Sequence, residues 1–400
     1  MPLPRGLSVA FLLLSASVTP TTAQSVRDSA SVRIVEYSRQ ARPRATWRLG
    51  ARPLQEIGGD GTGATEFTAV RAVIRLSDGR LAVANTASNE IRLFAPDGTH
   101  ERSVGRTGGG PGEFRRLTRL LRWGDTLVGV DVDSRAHVFD PSGPLVRSLQ
   151  PARRAGARNP QRIGAGASGT TYVVVTEGAA REELERQVIL QTLARSDVAG
   201  YSLSPVVTFP AYRAIRVGGA PSRVLLDAEG VVTAAGDHSC VGYSDEFVIT
   251  CHDRTNRPVL RVVRDVPSRD IREEERMLVR RAYLDANRDA PPAVRQQMER
   301  AAQEFRFASR APAFSRLVLS TSGELWVGPF QPGHGLPGPA APLVSKAVQI
   351  WNVFSLEGVW LAQVALPARF VMQEAGRDYV AGVAFDTDDL ERVVVWAVRR

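Results

Sequence analysis

The sequence predicts an all-β fold: a six-bladed β-propeller of four-stranded antiparallel blades, closed by an N-terminal strand and carrying one helical hairpin insertion. Three observations predict it. Short apolar strands separated by Gly-containing turns recur in rounds along the chain, as in a repeated β-meander. The last round is one strand short, and a strand without a partner of its own stands ahead of the first round. One segment, 268–307, drops strand alternation for helical spacing.

The first round reads Val73-Ile74, a turn at Asp78-Gly79, Leu81-Ala82-Val83-Ala84, Ile91-Arg92-Leu93-Phe94, a turn at Asp97-Gly98, then 102–105. The second repeats the order with Leu120-Leu121, 126–130, 136–139, a turn at Ser142-Gly143, and 145–149. Longer rounds fall near 160–209, 221–265, 314–366 and 368–400. The last supplies only 370–373, 379–385 and 391–398, while 46–57 is the spare strand. If that strand completes the final sheet, the ring closes and hides its sheet edges. An open β-solenoid or a pair of β-sandwiches would hold the same rounds. Neither explains why the strand missing at one end is present at the other.

Between the rounds, Gly105-Arg106-Thr107-Gly108-Gly109-Gly110-Pro111-Gly112-Glu113-Phe114 resembles the blade-linking Gly-x-Gly-Pro-Gly-Glu-Phe loop of NHL-type six-bladed propellers. Residues 58–67 are similar without the proline. Asp78-Gly79-Arg80-Leu81-Ala82-Val83-Ala84-Asn85 resembles that family's Asp-Gly-x-Leu-x-Val-x-Asp, with Asn in the last place. The resemblance is sharp over 57–150 and returns over 313–400. It implies the fold. For function it implies only a platform used for binding, sensing and occasional lyase chemistry. Physically, the glycines allow chain reversal at positive φ, and Phe67 and Phe114 are placed to pack between blades.

In the insertion, Val294, Met298, Ala301 and Phe305 make an apolar stripe at helical spacing. Ser268 or Asp270 can cap a first helix, Pro291-Pro292 suits the start of a second, and Asp270 and Glu273 to Glu275 complement a helix dipole. The hairpin is either a packed decoration or a lid over one end of the ring.

Residues 1–23 read as an export signal: Arg5, an apolar run over 7–18, and Thr21-Thr22-Ala23 before Gln24. A leader over 24–44 and the propeller over 45–400 follow. The apolar run is too short to span a bilayer and no later stretch reaches about 18 unbroken apolar residues, so the expectation is a monomer in the periplasm or outside the cell with no membrane span. With 43% apolar and 23% charged residues the chain is of globular type. Its formal charge is +9, and Lys346 is its one lysine, so the basicity is arginine. Codon bias accounts for that without function. The functional reading is an anionic partner, because guanidinium binds carboxylate and phosphate in a planar fork. Nucleic acid is not expected, since the aromatics fall on strand positions suited to a core.

Cys240 and Cys251 are the only cysteines. A hairpin turning near 244–246 places them opposite each other for a disulfide, whereas a loop position for Cys240 keeps them apart.

Aligned on the first strand of each round, six positions carry arginine: Arg71, Arg119, Arg162, Arg223, Arg316 and Arg369. In five of the six, a glycine follows seven or eight residues later; after Arg119 the spacing to Gly124 is five. In a propeller these positions lie at the channel mouth. They either staple neighbouring blades through acids such as Glu66 and Glu113, or converge on an anionic small molecule, glycan or acidic peptide. The loops expected at the same end hold Asn85, Asp131, Asp133, Asp237 and His238, and a long one over 329–342 carries His334. Asp131 with Asp133, or Asp237 with His238, offers too few oxygens for calcium alone. A metal-assisted propeller lyase or hydrolase at that face is the alternative to a non-enzymatic binding module. The five histidines form no zinc-like pair, and no Gly-x-Ser-x-Gly elbow or phosphate loop occurs.

Overall fold

The computed structural model describes residues 23–59, 63–150, 155–166, 169–177, 188–197, 199, 202–217, 220–286, 288–332 and 345–400. Residues 1–22 of the expected export signal, and 333–342 with His334, lie outside the described residues.

The architecture is a β-propeller. The first blade is Val70–Arg75, Leu81–Asn85, Glu90–Phe94 and His100–Val104, each strand antiparallel to the next. Its second strand shows why these sequences read as nearly continuous apolar runs. Leu81 and Val83 pack with Ala381, Val383 and Val393 of the last blade. Ala82 and Ala84 pack with Leu117, Leu120 and Leu127 of the second. Successive side chains point to opposite faces, and both faces are buried.

The first strands of the blades are Val70–Arg75, Leu117–Trp123, Ala157–Ala165, Gly230–Ala235, Arg316–Leu319 and Phe370–Ala375. They touch in that cyclic order, the last returning to the first. Closure is made by Gln55–Gly58, which pairs antiparallel with Glu391–Arg399 in the register Ile57 to Val393. The spare segment is two strands. Its other half, Ala45–Leu49, lies parallel on Trp360–Leu366, the outer strand of the fifth blade. The stretch expected as a plain leader is structured as well: Gln24–Ser29 and Val32–Tyr37 form a hairpin, the second strand parallel to Pro258–Arg264 of the fourth blade. Ile34, Val35 and Tyr37 are buried there. The chain thus covers the outer edges of blades four, five and six before the ring begins.

Gly105 turns at φ 82°, and a Cβ there would lie 2.5 Å from Cε2 of Phe114, a ring buried between the first and second blades. The linker packs tightly because it lacks that side chain. Glu113 accepts the Gly110 N–H at 2.8 Å and pairs with Arg106.

The fourth blade departs from the expected alignment. Leu203–Val217 runs past its own sheet, and its end folds against Ala220–Arg223, with Ala214 opposite Arg223. Arg223 is therefore outside the first strand, which begins at Gly230. Cys240 and Cys251 are directly opposed in neighbouring strands and joined by a disulfide.

The insertion holds two helices, α1 (Glu273–Asp285) and α2 (Pro292–Gln303). Both are shorter than their sequence suggests. Residues 268–272 are not helical, and α1 starts after Arg272 instead of at Ser268 or Asp270. The hairpin packs through Ile271, Val279, Phe305 and Phe307 onto Leu225, Leu226 and Phe330, at the end of the ring where blades connect. Glu275, only 4% exposed, anchors it by accepting N–H groups from Arg269 and the Arg272 backbone. Burial works to raise its pKa, but these donors prevail and hold it at about 2 against the usual 4.5. A depressed carboxyl stabilises the fold above its unfolded pKa and loses that contribution as pH falls. Between pH 4.5 and 2, Glu275 is expected to give up about 2–3 kcal/mol of native stability. In acid titrations followed by circular dichroism, Glu275→Gln should flatten that limb; an unchanged limb would assign it elsewhere.

Candidate functional site

The six arginines separate into two groups. Arg162 is fully buried. It donates to the carbonyls of Ser134 (3.0 Å) and Gln150 (2.6 Å) and to the Thr171 hydroxyl, tying the third blade to the second. Arg369 sits at φ 57° just ahead of its strand and donates to Phe385 and Asp386 carbonyls and to the Asp389 carboxylate. Arg223 pairs with Glu229 and stacks over Tyr212. These three are structural ties, and the acids they use are not Glu66 or Glu113.

Arg71, Arg119 and Arg316 differ. Among the described residues none of them makes a hydrogen bond or ion pair. Arg119 lies opposite Val130 and Arg316 opposite Gly328, both near the start of a first strand and the end of a second. Arg71 is the extra residue of a bulge at the same level in the first blade. Arg119 keeps solvent contact yet is surrounded by protein, as a side chain lining a narrow channel is. Desolvation, and then the neighbouring charge of Arg71, lower its pKa. Desolvation alone brings Arg316 down to about 10, with its guanidinium 6.0 Å from the Trp351 ring centroid. Glu391 is near Arg71, but its carboxylate is taken by the Ala69 and Val70 N–H groups at 3.1 and 2.7 Å.

The expected loop acids do not join this group. Gly236 and Asp237 form the turn between the first and second strands of the fourth blade, so Asp237 and His238 lie at the far end of the ring. The strand before them begins at Gly230, which reverses the end at which they emerge. Asp131 is buried and accepts the Asp133 and Arg115 N–H groups and the Arg135 guanidinium, each at 2.8 Å. Asp133 pairs with Arg115. A cation would have to displace a guanidinium there, and no cluster with metal-ligand geometry occurs among the described residues. Asn85 donates to the Ser88 hydroxyl of its own loop and accepts the Thr68 N–H ahead of the first strand, each at 2.9 Å.

At the far end, the carboxylate of Glu374 (9% exposed) links three blades. It accepts the Arg75 N–H of the first (2.9 Å), the Arg122 guanidinium of the second (2.9 Å) and the Tyr379 hydroxyl of its own (2.8 Å).

A second feature has no counterpart in the repeat pattern. A cleft of about 980 Å³ opens between the N-terminal hairpin, the end of the fourth blade and the base of the insertion. Arg264 lines it, its guanidinium carbon 4.3 Å from the Trp360 ring centroid and 5.7 Å from that of Phe247. The available sequence signal was an arginine ending an apolar strand, and it stood outside the aligned column.

No protein-family model and no curated protein matches this chain in sequence. Among solved structures, it is similar to a member of the DUF4221 family from Bacteroides vulgatus, with a TM-score of 0.54 and 9% identity, covering 89% of this chain and 99% of that one. A putative exported protein from Bacteroides fragilis gives 0.45 and 10% over 92% and 99%. The β-propeller domain of Cps50 from Myceliophteria thermophila gives 0.37 and 11% over 86% and 99%. At these identities the likeness is one of fold. No helix among the described residues is long and apolar enough to cross a membrane.

Proposed function

We propose that this chain is an exported, monomeric, NHL-like binding propeller whose channel mouth recognises an anionic small molecule, glycan or acidic peptide in the periplasm or medium. The observation that carries the reading is the set Arg71, Arg119 and Arg316, three guanidiniums that make no hydrogen bond or ion pair among the described residues. Arg316 is desolvated with no ion partner, which costs stability, and a repeat that staples its other arginines had acids and carbonyls to offer these three. An anion supplied from outside would complete the arrangement, with guanidinium forks giving it orientation.

The test is a thermal-shift screen of residues 24–400 against citrate, pyrophosphate, oligogalacturonate, an oligoglutamate peptide and calcium at fixed ionic strength. A ligand that binds only the native state raises the midpoint by mass action. At least one anion should do so, with the shift lost in Arg71→Ala/Arg119→Ala and in Arg316→Ala but kept in Arg369→Ala. If no anion stabilises the protein, or the three substitutions leave the shift intact, the channel mouth is not the site.

A further inference from the structure

The cleft beside the fourth blade contains unpaired charges of both signs. Glu36 is engaged by Arg27, Asp265 by Arg39, and Arg269 by Glu275. That leaves Arg264 and Arg310, and Asp245 and Glu246 on the turn between the second and third strands of the blade. Among the described residues none of these four side chains makes a hydrogen bond or ion pair, with each other or with anything else. The one charge that Arg264 feels is Arg42, so the acids of the cleft stand out of its reach.

Arg264 is also held in place. Trp360 beneath it stacks on Phe354 at 22°, and its backbone N–H donates to the Tyr37 hydroxyl at 2.8 Å. That hydroxyl in turn donates to the Gly358 carbonyl at 2.7 Å. A guanidinium resting on a fixed aromatic platform loses little freedom when it binds. Phe247, Val266, Pro312 and Phe330 supply apolar wall between the charged groups. The volume lies within the range of ligand pockets, about 300–1,000 Å³.

From these observations we infer a second binding site, for a short peptide with free termini. Its C-terminal carboxylate docks on Arg264, its amino group lies toward Asp245 and Glu246, and its side chains fill the apolar wall. A simple anion would leave the acids unanswered, and an uncharged apolar ligand would leave all four groups so. The cleft is built by the N-terminal hairpin and the flanks of the insertion, the parts this chain adds to a repeating ring.

The experiment uses residues 24–400 and a degenerate tripeptide pool in three forms: free termini, N-acetylated, and C-amidated. Capture on immobilised protein is read by mass spectrometry, and the enriched sequences are titrated by calorimetry. Free peptides should bind, with the amidated forms at least tenfold weaker and acetylated forms weakened as well. Arg264→Gln should abolish the difference between free and amidated forms. Because that change also disturbs the Trp360 platform, Asp245→Asn/Glu246→Gln, on an exposed turn, should separately abolish the difference between free and acetylated forms. Arg71→Ala/Arg119→Ala should leave peptide binding intact, which separates this site from the channel mouth. Failure to enrich any free peptide, or equal binding of all three forms, overturns the inference.

Discussion

Glu374→Ala should lower the unfolding free energy by about 3 kcal/mol or more, the range for breaking a buried ion pair by removing one partner. A ring made from one chain has one seam, where the last blade meets the first. Hydrogen bonding of Gln55–Gly58 to Glu391–Arg399 closes that seam on the outside. On the inside two carboxylates of the last blade bridge it: Glu391 holds the Ala69 and Val70 N–H groups at one end, and Glu374 reaches the first and second blades at the other. Without Glu374, the Arg75 N–H and the Tyr379 hydroxyl lose their acceptor, and Arg122 keeps Asp125 and the carbonyls of Gly124 and Arg75. Burial pushes the Glu374 carboxyl upward in pKa, against the donors gathered around it. Glu374→Gln keeps an acceptor and most of the volume, and should cost clearly less. Tyr379→Phe, which removes one hydroxyl, should cost about 1 kcal/mol. Chemical denaturation followed by tryptophan fluorescence measures all three. A loss below 1 kcal/mol for Glu374→Ala would leave ring closure to the outer strands, the Glu391 bonds and the apolar packing between the blades.

The rounds of strands were legible because a propeller blade is a local object. Its strands follow one another in sequence, its turns carry Gly at fixed offsets, and period-two burial leaves an apolar signature on every strand. Closure was legible for the same reason, since a strand without a neighbour must find one. What could not be read was any feature fixed by contact between distant segments. Val32–Tyr37 has the apolar pattern of a strand, but nothing in it names Pro258–Arg264 as its partner. Arg223 stands seven residues before Gly230, the spacing of the other rounds, although a hairpin and not an inner strand produces it. That one misplacement also carried Asp237 and His238 to the wrong end of the ring. Asp131 and Asp133 look the same in sequence whether they hold a cation or cap a turn; the N–H groups aimed at Asp131 decide the matter. The column of arginines hid a division of labour for the same reason, because a sequence position does not say which acceptors surround it.

That division yields the second large effect, a contrast between two residues of the same column. Arg162→Met should cost about 3 kcal/mol or more. It leaves the buried Ser134 carbonyl and Thr171 hydroxyl, and the more exposed Gln150 carbonyl, short of a donor, at about 1–3 kcal/mol for each buried group left unsatisfied. Arg119→Met should cost nothing and can raise stability. The guanidinium it removes makes no hydrogen bond or ion pair among the described residues and is repelled by Arg71. Replacing it with an apolar side chain of similar length relieves that repulsion and breaks no tie among the described residues. The same substitution should abolish the anion-dependent thermal shift, while Arg162→Met retains it in whatever fraction stays folded. Denaturation midpoints and ligand titrations on the two variants, made side by side, test the reading from both directions. Should Arg119→Met destabilise the protein as much as Arg162→Met, the channel arginines are ties like the others and the anion site falls with them. If stability holds and the ligand response disappears, the unpaired arginines are maintained at a cost to the fold, as binding groups are.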